Sequence, residues 1–90
     1  FTAKDFRTLR GTIVAAETLA HHGPARTVRE RRKAERAAVQ ATADMLGNTP
    51  AVARGSYIDP RVFRRYAHGE LLQLNISPET AIRRLLASPR

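Results

Sequence analysis

The chain is broken repeatedly by short runs that end in proline: "HHGP" at residues 21–24, "GNTP" at 47–50, "IDP" at 58–60 and "SP" at 77–78. Proline has no N–H and a fixed φ, so it is excluded from helix interiors and suits the first turn of the next helix. Between the breaks, apolar residues return every three or four positions, the period of a helix with one buried face. No stretch alternates apolar and polar residues as a half-buried strand does. The fold class is therefore all-α, with about five helices.

Local signals place the ends. Thr2 and Asp5 form a Thr-x-x-Asp capping box, followed by a stripe of Phe6, Leu9, Ile13, Ala16 and Ala20. Thr27 and Glu30 form a second box, opening a helix that runs to Leu46 with Ala34, Ala38, Ala41 and Met45 on one stripe. Gly47 suits a helix end because it tolerates left-handed backbone angles. Asn48 or Thr49 then caps a short helix with Pro50 at its first position. Asp59-Pro60 repeats the start signal, and Gly69 closes that helix. Ser77-Pro78-Glu79 opens the last one, whose buried stripe is Ala81, Ile82, Leu85 and Leu86. The chain divides into an Arg-bearing helix at 1–20, a basic helix at 27–46, a Tyr-bearing segment at 47–69 and a C-terminal helix at 70–90. Within the last, Leu71, Leu72, Leu74 and Ile76 read as core or interface.

Ninety residues make one small domain or a piece of a larger protein, and the abrupt opening "FTAKDFRT" favours a piece. Sixteen Lys and Arg face eight Asp and Glu, a net charge of +8. Such a balance favours a polyanion partner, because neutralising phosphates releases counterions. There is no cysteine, which excludes disulfides, thiolate metal sites and thiol nucleophiles. No apolar run approaches the length of a membrane span. The segment Arg26 to Arg36, "RTVRERRKAER", is charged almost all round at its start. It reads either as a solvated helix end or as an arm that contacts DNA phosphates or projects as a linker.

Phosphoryl transfer from a nucleic acid backbone needs a nucleophile in line with phosphorus. It also needs donors for the two non-bridging oxygens and a proton for the departing oxygen. Without cysteine the nucleophile candidates are Ser, Thr, Tyr and water. A tyrosine hydroxyl, with an ordinary pKa of about 10, needs nearby positive charge to act near neutrality. Tyr57 has Arg54 three residues before it and Arg61 four after. Charge and loop position alone leave it open between a half-buried aromatic and a nucleophile. Tyr66 shares a helical register with Val62 and Phe63 and reads as core edge. Arg7, in the first turns of a helix with Lys4 on the same side, offers a rigid fork that can hold two phosphate oxygens. Asn48 is either a plain cap or a neutral donor to an anion at a helix start. His21 and His22 diverge and have no supporting ligand, Gly11 and Gly23 are too isolated for a phosphate-cradling loop, and Asp44 and Asp59 form no acidic cluster. No metal site follows from them.

"TAKDFRT" (Thr2 to Thr8) and "LGNTPAVARGSYIDPRV" (Leu46 to Val62) resemble the C-terminal part of the catalytic domain of type IB DNA topoisomerases, in the bacterial, poxvirus-like branch. The likeness covers roughly residues 1–69, with the helix at 28–46 in the expected place between the two motifs. It implies a C-terminal fragment of the tyrosine recombinase/topoisomerase IB-type catalytic fold. Tyr57 would be the nucleophile that becomes joined to a 3′ phosphate, and Arg7 one of the arginines on the non-bridging oxygens. Asn48 would be a donor where some members carry His, a departure that removes the possibility of charge. Lys4 and Arg54 would be DNA contacts.

The resemblance further implies relaxation of supercoiled double-stranded DNA by a bacterial, nucleoid-located isomerase, monomeric at full length. It needs no metal and no ATP, with magnesium at most a stimulant. A second clamping Arg and a Lys that protonates the leaving oxygen lie upstream in the family. The 90 residues are thus expected not to relax DNA without the missing N-terminal part. Tyrosine recombinases or integrases share the Arg and Tyr logic, but usually show R-x-x-H and G-H where this chain has Arg7 followed by Thr8, Leu9 and Arg10, and Gly47 followed by Asn48. A non-enzymatic basic helical module is the remaining alternative.

Overall fold

The computed structural model describes the backbone of residues 3–72 and 74–86, and the side chains of residues 6–72 and 74–86. Within that range five α-helices and one widened π-turn follow each other with no strand. They are α1 (Ala3–His22), α2 (Val28–Leu46), α3 (Pro50–Val52), the π-turn (Ala53–Tyr57), α4 (Arg61–Ala67) and α5 (Pro78–Leu86). The capping box expected from Thr2 and Asp5 falls outside the described side chains.

The remaining end signals act largely as the sequence indicates. Thr27 Oγ1 accepts the Glu30 N–H at 3.1 Å. The Glu30 carboxylate reaches back one residue further than a standard box, to the Arg26 N–H at 2.8 Å. At the other end of α2, Gly47 takes the left-handed conformation (φ 70°), and its N–H and that of Asn48 both close on the Ala43 carbonyl. This turns the chain sharply back, which a Cβ at Gly47 would oppose.

α1 and α2 pack antiparallel and form the base of the molecule, with alanines on both sides of the contact. Ala15 and Ala16 of α1, and Ala34 and Ala38 of α2, are at most 2% exposed. Small side chains let the two backbones approach closely. Val62 and Tyr66 of α4, and Ile82 of α5, complete the core. Tyr66 is the core-edge residue that its register indicates. Its hydroxyl donates to the Gly23 carbonyl at 2.8 Å, pinning α4 to the loop between α1 and α2. Burial, reinforced by Glu30 and Glu35, raises the Tyr66 pKa above its ordinary value. Arg65, one residue earlier, is also buried and reaches the terminal carbonyl of α5, Leu86, at 3.4 Å. A helix C-terminus has free carbonyls and partial negative charge, so a cation suits it.

Two expected stripes shift. Phe6 is 60% exposed and lies outside the buried core of α1, whose buried apolar residues are Ile13, Ala15, Ala16 and Leu19. Met45 is also exposed, and the buried face of α2 runs through Ala34, Ala38, Val39, Thr42 and Ala43. Periodicity identifies a helix but does not say where along it the neighbours stop. Of the leucines after Gly69, Leu72 is buried and Leu74 is half exposed.

The Tyr66 hydroxyl bond makes a specific demand on stability. Tyr66→Phe keeps the ring and removes the bond, and is expected to cost about 0.5–1.5 kcal/mol in a urea titration of the protein.

Candidate active site around Tyr57

The segment that carries Tyr57 lies directly against the first half of α1. At Gly11 a Cβ would overlap the Tyr57 carbonyl oxygen, and would sit 3.1 Å from Thr42 Cγ2 on the far side. Only a glycine fits between the α1 backbone and the Tyr57 segment. On one side of Gly11, the Thr8 hydroxyl donates a long hydrogen bond to the Ser56 carbonyl (3.5 Å). On the other, the buried Thr12 hydroxyl accepts the Asp59 N–H at 3.0 Å. Positions 8, 11 and 12 are neighbours on the helix surface by their three- and four-residue spacing. They hold the residues on both sides of Tyr57. The Thr42 hydroxyl of α2 lies 3.2 Å from the Gly11 carbonyl and 3.0 Å from that of Ala38, sharing its proton between them. It fastens α1 to α2 at the same level.

Tyr57 is not in a loop, as its Gly and Pro neighbours suggest, but is the last residue of the π-turn. A π-turn adds a residue to a helical turn and is found disproportionately at functional positions. Ala53 at its start is fully buried, and Ile58 immediately after Tyr57 is extended and 4% exposed. These two anchors leave Tyr57 itself half-buried at the surface.

Arg7 lies one helical turn before Gly11, on nearly the same face of α1. It is exposed and makes no ion pair with a described residue. The cations adjacent in sequence to Tyr57 behave differently. Arg61 forks onto Asp59, with Nη2 at 2.7 Å and Nε at 3.1 Å. The side-chain bonds to Arg61 hold the Asp59 carboxyl below the usual carboxylate range, against an opposing push from partial burial. Arg54 pairs with Glu35 at 3.7 Å and stacks its guanidinium over the Phe63 ring at 4.7 Å. The two arginines that the sequence places around Tyr57 are therefore tied to carboxylates. On the neighbouring helix the fork of Arg7, like that of Arg10, makes no ion pair with a described residue.

Thr49, not Asn48, caps α3: its hydroxyl accepts the Val52 N–H at 3.3 Å. The half-buried Asn48 is thereby released from the capping role. No hydrogen bond links the side chains of Arg7, Asn48 and Tyr57 to one another among the described residues. Asn48 stands at the start of the segment that α3 and the π-turn carry to Tyr57. The Lys4 side chain lies outside the description. Among the described residues no group of three or more His, Cys, Asp or Glu is placed to hold a metal ion, and no helix is long and apolar enough to cross a membrane.

Thr8, Gly11, Thr12 and Thr42 were not singled out as site-forming by the sequence. The signal that could have found them is Gly11 itself. A glycine inside a helix costs about 1 kcal/mol relative to alanine, so one in mid-helix marks a close approach.

An all-helical chain with a tyrosine segment and an arginine-bearing helix pinned together belongs, by its sequence, to the DNA topoisomerases. The family described as the eukaryotic DNA topoisomerase I catalytic core matches residues 1–75. The chain is a member of that family, whose substrate is DNA. No curated protein matches it. The match takes in α1 through α4 and stops short of α5.

Gly11→Ala separates two opposing effects. Helix propensity alone favours it by about 1 kcal/mol, whereas overlap with backbone costs roughly 1–3 kcal/mol. Because the obstructing atom is a carbonyl oxygen rather than a flexible side-chain end, the overlap prevails. Net destabilisation is the expected outcome in a denaturant titration, together with a loss of whatever activity depends on Tyr57.

Proposed function

We propose that this chain is the tyrosine-bearing part of a type IB DNA topoisomerase of the bacterial, poxvirus-like branch. The observation that carries the reading is the seam between α1 and the π-turn. It sets the exposed fork of Arg7 one helical turn from the Gly11 contact with the Tyr57 backbone, while Arg54 and Arg61 are held on Glu35 and Asp59. Family membership supports DNA as the substrate. The branch rests on the resemblance of the "GNTP" and "SYIDP" motifs, including Asn48 where some members carry His.

In this mechanism the Tyr57 hydroxyl oxygen attacks a backbone phosphorus and the bond to the 5′ oxygen breaks. The phenol gives up its proton and the departing 5′ oxygen gains one. A phosphodiester is exchanged for a phosphotyrosine diester, so no ATP and no redox partner are required. Arg7 holds non-bridging oxygens as negative charge builds on them, and Asn48 adds a neutral donor. Lys4 and Arg54 support the DNA backbone. After the cut strand rotates, its 5′ hydroxyl attacks the phosphotyrosine, restores the DNA and frees Tyr57. The proton donor for the 5′ oxygen and a second arginine come from the N-terminal part of the full enzyme, so the 90 residues alone do not relax DNA. The full enzyme acts as a monomer on the DNA of the bacterial nucleoid. Magnesium acts at most as a stimulant.

The test uses the full-length protein on supercoiled plasmid, in EDTA and without ATP. The wild type relaxes the plasmid, and Tyr57→Phe abolishes relaxation while leaving plasmid binding intact. Arg7→Lys keeps the charge but loses the fork, and slows relaxation by about 10²–10³-fold, the usual size of one lost oxyanion contact. A Tyr57→Phe variant that relaxes like the wild type overturns the assignment. Wild type that binds plasmid without relaxing it points instead to a plain DNA-binding module, and strand exchange confined to particular sites points to a recombinase.

A further inference from the structure

The basic start of α2 offers two readings from its sequence, a solvated helix end or a DNA-contacting arm, and its three-dimensional arrangement separates them. Arg29, Arg32, Lys33 and Arg36 are all exposed. At 100° per residue they fall within an arc of about 100° and extend about 10 Å along the helix. The acids of the same helix lie off that arc and are already engaged. Glu30 accepts from the Arg26 N–H at 2.8 Å. Glu35, with its side chain only 16% exposed, takes Arg31 at 3.6 Å and Arg54 at 3.7 Å. The stripe is therefore a run of like charge without interleaved carboxylates. A helix selected only for solubility mixes the two signs on its outer face.

The stripe also leads to the candidate active site. At its C-terminal end Arg36 shares an open groove of roughly 310 Å³ with Val39, Gln40, Pro50, Ala51 and Arg54. Arg54 belongs to the π-turn that ends at Tyr57. Beyond Arg36 the face loses its charge: Gln40 donates to Asp44 at 2.8 Å, which closes the track at that end. The stripe thus runs from Arg29 to Arg36 and ends at a groove whose other wall carries Arg54, paired with Glu35, on the Tyr57 segment.

We infer that the outer face of α2 is a second DNA-contact surface, which holds the phosphate backbone of duplex DNA to one side of the bond cut at Tyr57. The inference rests on the topoisomerase reading for the location of the cut, but not for the contact itself. DNA phosphates on one strand are spaced about 3.4 Å along the helix axis, so a 10 Å stripe spans about three of them. The contact is with phosphates and carries no base specificity. It would hold the duplex flank against the protein while Arg7 and Tyr57 act on a single phosphate.

The experiment compares two double variants of the full-length protein that lose the same charge: Arg32→Gln/Arg36→Gln on the stripe, and Arg83→Gln/Arg84→Gln on α5. All four positions are exposed, and thermal melts check that both variants remain folded. The affinity for a fluorescent, non-specific duplex is measured from 50 to 300 mM salt. Each phosphate contact contributes about 0.9 to the slope of log K against log salt. The stripe variant is expected to lose about 1 to 2 from that slope, and the α5 variant well under half as much. Equal slopes for both variants, or a stripe slope like that of the wild type, overturn the inference. Competition with anionic vesicles that displaces the duplex equally well at matched phosphate concentration also overturns it. If the wild type binds the duplex but forms no tyrosine-linked product, the topoisomerase reading fails while the slope comparison still decides the role of the stripe.

Discussion

The missing side chain at Gly11 is the constraint on which the rest of the site depends. It lets the backbone carbonyl of Tyr57 lie against α1 with nothing between them. Once that contact is made, Thr8 and Thr12 are in place to bind the Ser56 carbonyl and the Asp59 N–H on either side. Thr42 then fastens the same level of α1 to α2. None of these bonds is strong alone, a net 0.5–1.5 kcal/mol each by usual standards. Together with the buried Ala53 and Ile58 they fix both ends of the π-turn. A tyrosine held by its backbone in this way, half-buried at the surface, has its main chain placed independently of how its ring packs.

Charge is distributed around this seam by the same economy of contacts. The protein carries +8, yet the arginines adjacent to Tyr57 in sequence are not free cations. Arg61 is locked on Asp59, where it organises the start of α4, and Arg54 is drawn to Glu35 on α2 and to the Phe63 ring. Pairing fixes their geometry: Arg61 is forked onto Asp59, whereas the paired Arg54 keeps 53% of its side chain exposed. Arg7 on α1 and the outer arc of α2 retain unpaired charge on the exposed surface. The candidate chemistry at one phosphate and the candidate grip on neighbouring phosphates are thus served by different arginines, linked through Arg54.

The helices were legible in the sequence because their ends are written locally. Thr27, Gly47, Pro50 and Pro78 act through their own backbone and hydroxyl chemistry, so a neighbour some distance away cannot overrule them. A candidate role for Arg7 and Tyr57 is suggested only by the family likeness, since charge and position alone leave Tyr57 open. What was not legible depends on contacts between remote parts of the chain. Phe6 fits its stripe perfectly in period, but no described helix covers it. Asn48 and Thr49 are equally good caps on paper, and the turn through Gly47 decides for Thr49. The positive charge beside Tyr57 in the sequence is partly offset in the fold, because the carboxylates that pair with Arg54 and Arg61 meet them through side-chain geometry. Gly11 was read as an isolated glycine, because what makes it matter is the carbonyl of a residue on another element.

The most direct test of the account is the identity of the atom that bonds to DNA. The full-length protein would be mixed with a duplex, stopped with denaturant, digested with protease and nuclease, and the remaining peptide sequenced by mass spectrometry. The account predicts a nucleotide joined through its 3′ phosphate to Tyr57, in the peptide that contains Gly55 and Ser56. A nucleotide on Ser56, on Tyr66 or on any other residue, or a reaction that relaxes DNA with no residue modified, would contradict it.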